Sequence, residues 1–329
     1  MKQIQFENKY EAFWQKFQFL LNDLEKNKKN QDSTILDRYS FPKHYRKICN
    51  HFAIAKQRHY SPVLIERLHA LVLKGHENIY RNKTVWFWKV LEFISSSFPI
   101  ILRKHSKIFW LACALFYIPA ITMGISCFKN SEIIYSVMDQ HSVANMEYMY
   151  DPENKQLGRE EERQADTDFY MFGYYIRNNI TVGFRTFASG MILGIGSLFF
   201  LLYNGIVIGG VSGYLTNLGF IETFWSFVAG HGSFELTAIV ICGMAGLLLA
   251  KPIFSPGNLK RAEALKVAAK DAIQLVMGAA LMLVIAAFIE AFWSPSSFVS
   301  ANGKYIIAAF LWLFVIAYLT FAGRNSHES

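Results

Sequence analysis

The stretch "GHGSFELTAIVICGMAGLLLA" sets His231 and Glu235 four residues apart at the mouth of an otherwise apolar run. Residues at i and i+4 share one face of a helix, so this pair can act on one proton, one ion or each other. Few other polar groups interrupt the apolar part of the chain: Arg185, Asn204, Glu222 and Glu290. A charge at mid-membrane costs about 2.5–3.5 kcal/mol on insertion scales, so each of these groups requires a partner. One reading is interhelical ion pairs and snorkelling side chains near an interface. The other is a polar cavity in which His231 and Glu235 are linked to a proton or a metal. Zinc hydrolases of the His-Glu-x-x-His type need a second histidine and three protein ligands. The order here is His-Gly-x-x-Glu, and no other apolar run contains a histidine. No Gly-x-x-x-x-Gly-Lys-Ser/Thr loop occurs either. The chain is therefore expected to be no enzyme, with no catalytic residue, metal or cofactor.

The elements that must position these residues are membrane helices. Apolar residues make up 53% of the 329, and mean hydropathy is positive. Runs long enough to cross a bilayer fall at 107–128, 182–203, 234–250, 272–293 and 305–322, and 205–220 is a shorter, glycine-rich sixth. On this reading Arg185, Glu222, His231, Glu235 and Glu290 lie near one interface, with Asn204 at the other end of the second run. The first 107 residues carry 20 Lys or Arg against 9 Asp or Glu, more than the whole chain's net +8. Residues 129–181 hold ten acids and five bases, whereas Lys251, Lys260, Arg261, Lys266 and Lys270 crowd the loop after the fourth run. The positive-inside rule then places both termini in the cytoplasm, the acidic segment outside and the basic loop inside. The fold class expected is all-α: a polytopic membrane protein of about six spans with an N-terminal cytoplasmic helical region. Its parts are that region at 1–84, an interfacial amphipathic helix at 85–106, the membrane domain at 107–323 and a cytoplasmic tail at 324–329.

The cytoplasmic region has its own apolar stripes: Phe6, Tyr10, Phe13, Phe17 and Leu20; Phe41, Tyr45, Ile48, Phe52 and Ala55; Leu64, Leu68 and Leu71. Pro42 and Pro62 suit first turns, Ser61 suits an N-cap, and "EKNKKNQDST" reads as a linker. In the interfacial segment, Phe87, Leu91, Ile94 and Phe98 form a face flanked by Trp86, Trp88 and Lys89. The start of the chain lacks the apolar core and cleavage site of a signal peptide, so the first span serves as insertion signal. Four cysteines without paired spacing argue against a disulfide framework. Scattered basic residues without a recognition motif argue against nucleic acid.

Glycine spacing is the strongest packing signal. Gly190, Gly194, Gly205, Gly209, Gly213, Gly243 and Gly246 recur at intervals that let helix backbones approach closely in lipid. They predict a tight bundle of the second to fourth spans.

Several stretches together resemble the stage II sporulation protein M family. They are "YRKICNHFAIAKQRHY", "LHALVLKGHENIYR", "NNITVGFRTFASGMILGIGSLFFLLYNGIVIGG", "HGSFELTAIVICGMAGLLLAKPIFSPGNLKRAEAL" and "IEAFWSP". The ordered set Asn204-Gly205, His231-Gly232 with Glu235, Pro256-Gly257 and Glu290 carries the likeness. The resemblance implies a multi-pass protein of the bacterial inner membrane that scaffolds cell-envelope remodelling enzymes. The long N-terminal region is similar to that of a branch encoded beside MoxR-type AAA ATPases and RDD-type membrane proteins, which implies such partners besides lipid. Its alternative is a transporter or lipid-handling protein built around His231 and Glu235.

Overall fold

The computed structural model describes residues 2–26, 35–153, 165–296 and 298–324. Most of the expected linker, the centre of the acidic segment and the tail beyond residue 324 lie outside them. The described residues are helical, without a strand, and divide into two units, 1–92 and 93–329.

The first unit holds three helices: α1 (Gln3–Lys26), α2 (Ile35–Gln57) and α3 (Pro62–Glu92). Their stripes meet as the periodicity requires. Phe6, Phe17 and Leu21 of α1, Phe41, Ile48 and Ala55 of α2, and Leu64, Leu68 and Leu71 of α3 form one buried core. Trp14 fills its centre, 0% exposed, and its indole donates to His51 Nδ1 at 3.0 Å. One local expectation changes, and Ser61, which stands before α3 as expected, has a further task. Pro42 lies inside α2 rather than in its first turn. Ser61 uses its hydroxyl and backbone N–H to hold the Gln3 side chain, tying the start of α3 to the start of α1. Arg67 of α3 grips Glu11 of α1 with two bonds of 2.9 and 2.7 Å. The expected boundary at residue 84 and the separate helix over 85–106 are not elements of the fold. α3 runs unbroken to Glu92, a π-helical turn follows at Phe93–Ser97, and a short α4 covers Phe98–Lys104. Phe87, Trp88 and Leu91 are exposed, and the Trp86 side chain lies outside the described residues.

The second unit is built around α9 (Ile221–Phe254), with α5 (Ser106–Lys129), α6 (Gln140–Tyr150), α7 (Ala165–Ala188) and α8 (Ile195–Asn217) before it. α10 (Arg261–Phe288), extended by a π-helical turn at Ile289–Trp293, and α11 (Ala301–Phe321) follow. Five of these helices, α5, α8, α9, α10 and α11, are long and apolar enough to cross a membrane. α9 is central: most of its apolar length is buried, whereas little of α5 or α11 is buried. This is the architecture of an all-α polytopic membrane protein.

The expected span at 182–203 does not exist as one helix. α7 ends at Ala188, the chain reverses through Ser189–Gly194, and α8 begins at Ile195. Gly194 makes that reversal with φ +78°, a conformation costly for any side-chain-bearing residue. The glycine-rich 205–220 is accordingly the second half of α8 and not a span of its own. Hydropathy misplaced the boundary because Ser189, Gly190 and Gly194 interrupt an apolar run only weakly. The true first half of the pair carries Arg177, Asn178 and Asn179.

Glycines set how closely the helices meet. Gly205, Gly209 and Gly213 press on the backbone carbonyls of Phe116, Ala120 and Gly124, so α5 and α8 run parallel in a constant register. Asn217 extends the same register with a bond to Phe128 O at 2.8 Å. Gly243 receives Leu201, and Gly246 meets Gly190 and Ser197, so α8 runs antiparallel to α9.

Candidate functional site

The directions of the helices separate two polar regions. At the end of the bundle where α5 and α10 begin, Asp271 accepts from Lys104 Nζ at 2.7 Å and pairs with His105 Nε2 at 2.8 Å. Arg103 donates to the carbonyls of Leu319 and Ala322, satisfying the C-terminus of α11, where unpaired carbonyls favour a cation. The basic residues near the starts of α5 and α10 thus share one end.

The carboxylates gather elsewhere, toward the N-terminal half of α9 and the last turns of α10. His231, 5% exposed, and Glu235 lie on one face of α9, with Nε2 and a carboxylate oxygen 3.9 Å apart. Glu290 comes from the π-helical turn that ends α10, and one ligand atom from each of the three residues lies within 4.8 Å of the others. The π turn matters to this geometry. The Ser294 N–H reaches back five residues to Ile289 O at 2.8 Å, widening the helix and setting Glu290 and Ser294 beside α9. Ser294 Oγ meets His231 Nδ1 at 3.1 Å, which fixes the imidazole with Nε2 directed toward Glu235. The ring of Trp293 packs on Gly230, so the two elements touch immediately beside the polar groups.

Three further side chains surround the group. Asn179 of α7 is 1% exposed and donates to Glu290 at 3.4 Å. Lys304 of α11 is 4% exposed and donates to Ser294 O at 2.6 Å. Tyr150 ends α6 against the rings of Phe224 and Phe227. Burial first, then the charges of Glu290, Tyr175 and Glu235, push the Tyr150 phenol up. α6, α7, α9, α10 and α11 therefore all send residues to this end of the bundle.

Of the six polar residues singled out in the sequence, the fold brings three together. Arg185 is exposed on α7, six residues beyond Asn179 and about 9 Å further along the helix axis, toward the basic end. Its expected place in the same layer as Glu235 fails with the misplaced span. Glu222 is exposed in the first turn of α9, nine residues and about two and a half turns before His231. Asn204 bonds back to Phe200 O at 2.8 Å within α8. Asn179, Ser294 and Lys304 escaped the sequence reading because each sits at a span boundary, where a polar residue is ordinary. The adjacent Asn178 and Asn179 in an aromatic helix were the available signal for α7.

Chemically, an imidazole and two carboxylates at this spacing can share protons or hold a divalent cation. Three such residues are the described group able to hold a metal. Two cavities lie elsewhere. One of about 410 Å³ opens between α5, α9 and α11, lined by Phe109, Cys113, Tyr117, Val240 and Val315 with Arg103 at its edge. The other, about 300 Å³, lies between Phe98, Phe234, Met282 and Tyr318. Neither is lined by His231, Glu235 or Glu290.

An apolar helical bundle with a buried carboxylate–imidazole group at one end defines the class: a membrane protein with a structured N-terminal helical unit. Comparison with known families narrows it. The family model for stage II sporulation protein M matches residues 112–295, and the chain belongs to that family. The match spans α8, α9, α10 and the three clustered residues. A second model, described as a domain of unknown function, matches residues 4–81, within the first unit. An uncharacterized protein of Methanocaldococcus jannaschii is 28% identical over 131 residues, 38% of this chain and 72% of its own. No solved structure matches the chain.

Proposed function

We propose that this protein is a non-enzymatic scaffold of the cell envelope. It would sit in the bacterial inner membrane and gather partners through its N-terminal helical unit and its acidic segment. The observation that carries this reading is the backbone-to-backbone seating of α8 on α5. Gly205, Gly209 and Gly213, one turn apart, meet carbonyls one turn apart at one register, a contact that α8 could not keep while sliding along α5. A fixed α5–α8 pair suits a scaffold that presents partners on a constant surface. Family membership supports a membrane role; the envelope partners, including a MoxR-type AAA ATPase or an RDD-type membrane protein, rest on the resemblance.

Orientation follows from charge. α5 and α10 start at one end with Lys104, Lys107, Lys251, Lys260, Arg261, Lys266 and Lys270 nearby, and the acidic segment follows the opposite end of α5. Lys and Arg mark the cytoplasmic side, so both termini are cytoplasmic and α7 is the second of six crossings.

The test is affinity capture of the full chain and of a chain lacking residues 1–92 from native membranes, with mass spectrometry of what co-purifies. Envelope proteins should accompany the full chain and be lost from the truncated one, while membrane abundance stays the same. A full chain that captures nothing above a control membrane protein would overturn the reading.

A further inference from the structure

We propose that His231, Glu235 and Glu290 form a binding site for one divalent transition-metal ion, and that zinc fits it best. The inference goes beyond the scaffold reading and does not depend on it.

The first support is geometric. Zinc binds imidazole nitrogen and carboxylate oxygen at about 2.0–2.2 Å, which puts neighbouring ligand atoms about 3–4 Å apart. His231 Nε2 and Glu235 are 3.9 Å apart, too far for a hydrogen bond yet close to the separation that an ion between them imposes. The whole set lies within 4.8 Å, so its members close on an ion by shifts of about 1–2 Å. His231 is more than nine-tenths buried, and its Nε2 is aimed into the gap.

Its surroundings are those of a ligand set. A metal-bound histidine uses its other ring nitrogen as a donor to an oxygen, which fixes tautomer and orientation. Ser294 Oγ occupies that position at Nδ1, and its own backbone carbonyl is held by Lys304 Nζ. Asn179 donates to Glu290 from α7, steadying the third ligand in the same way. The π-helical turn is the device that brings Glu290 and Ser294 to opposite sides of the imidazole's reach, and such turns recur at functional sites.

Charge suits a divalent ion. The two carboxylates offset the charge of a cation bound between them, which lowers the cost of keeping them away from water. Magnesium and calcium prefer all-oxygen sets, whereas one nitrogen and two carboxylates suit zinc or manganese. Three protein ligands leave a fourth position, which water can fill. Bound there, the ion cross-links α9 to the end of α10 and, through Asn179, to α7.

The experiment uses the full chain in detergent, stripped with a chelator and titrated with zinc alone by equilibrium dialysis and elemental analysis. The wild type should take up one zinc per chain and melt at a higher temperature with it. Glu235→Gln, Glu290→Gln and His231→Gln should each weaken uptake by about tenfold or more, and Asn179→Leu by about tenfold. Glu222→Gln, an equal loss of charge at an exposed position on the same helix, should leave uptake unchanged. X-ray absorption on the zinc-loaded wild type, which requires no variant to fold, should report one imidazole with oxygen ligands. Absence of stoichiometric uptake at micromolar zinc, equal uptake by the site variants, or a spectrum without imidazole would each overturn the proposal.

Discussion

Gly209 lies against the carbonyl of Ala120 with no space for a methyl group between the two backbones. The same relationship repeats one turn away on each side, at Gly205 with Phe116 and Gly213 with Gly124. In lipid, where apolar burial gives little drive for association, this close van der Waals approach is what binds α8 to α5.

Replacing Gly209 with alanine therefore forces α8 off α5. Overpacking of this kind costs about 1–3 kcal/mol, and the obstacle here is a backbone that cannot rotate away. Gly173 gives the control, since a methyl group there meets nothing within 4 Å. Alanine at Gly173 should be neutral or stabilise by up to ~1 kcal/mol, through the better helix propensity of alanine. Thermal unfolding of both variants in detergent reads the difference. Equal melting temperatures would mean that the α5–α8 register does not hold the bundle.

Much of this was legible in the chain. Glycines at helical spacing told of close helix contact, and the apolar stripes of the first unit named most of its core. Trp14 was passed over because it stands between Phe13 and Phe17, which satisfied the same stripe. The paired His231 and Glu235 were visible as i and i+4, but Glu290 joined them only through a π turn that no periodicity announces. Arg185 was drawn into the group by a span boundary set by hydropathy. An apolar run records that residues avoid water and says nothing of a chain reversal within it.

Orientation should follow the charge separation. A reporter fused after Lys260, between α9 and α10, should behave as cytoplasmic, and one fused after Asp151, past α6, should behave as external. The positive-inside bias and the shared end of Lys104 and Asp271 both point this way. A cytoplasmic signal at both sites, or reversed signals, would dismiss the six-crossing arrangement with α7 as its second member.

The first unit should fold alone, because its core of Phe6, Trp14, Phe17, Ile48 and Leu68 is complete within residues 1–92. Expressed without the rest, it should give a helical circular dichroism spectrum and a cooperative melt. Trp14→Phe keeps an aromatic ring but removes the N–H that His51 Nδ1 accepts and leaves a small void, so beyond the about 1–3 kcal/mol of an unpaired buried acceptor it loses some packing. A non-cooperative melt of the wild-type fragment would show that these stripes need a surface outside the unit.

Acid should weaken that unit in a particular window. Burial, reinforced by the charge of Lys47 one turn away, lowers the His51 pKa from 6.5 to about 4. The Trp14 indole, which can only donate, likewise requires His51 Nδ1 to be unprotonated. Between those two values the unfolded chain binds a proton that the folded one refuses, so stability rises with pH. The contribution is complete above pH 6.5 and is lost as pH falls toward 4. Each pH unit in the window removes about 1.4 kcal/mol, so acidification from 6.5 to 5 should cost about 2 kcal/mol. Carboxylates titrate mostly below that range, and this separates the histidine from the Arg67–Glu11 pair. His51→Gln, whose amide oxygen can still accept from Trp14, should flatten the dependence between pH 6.5 and 5 while leaving the acid limb in place. Denaturant melts of wild type and variant at half-unit steps decide it: parallel curves through that window would mean that another group is responsible.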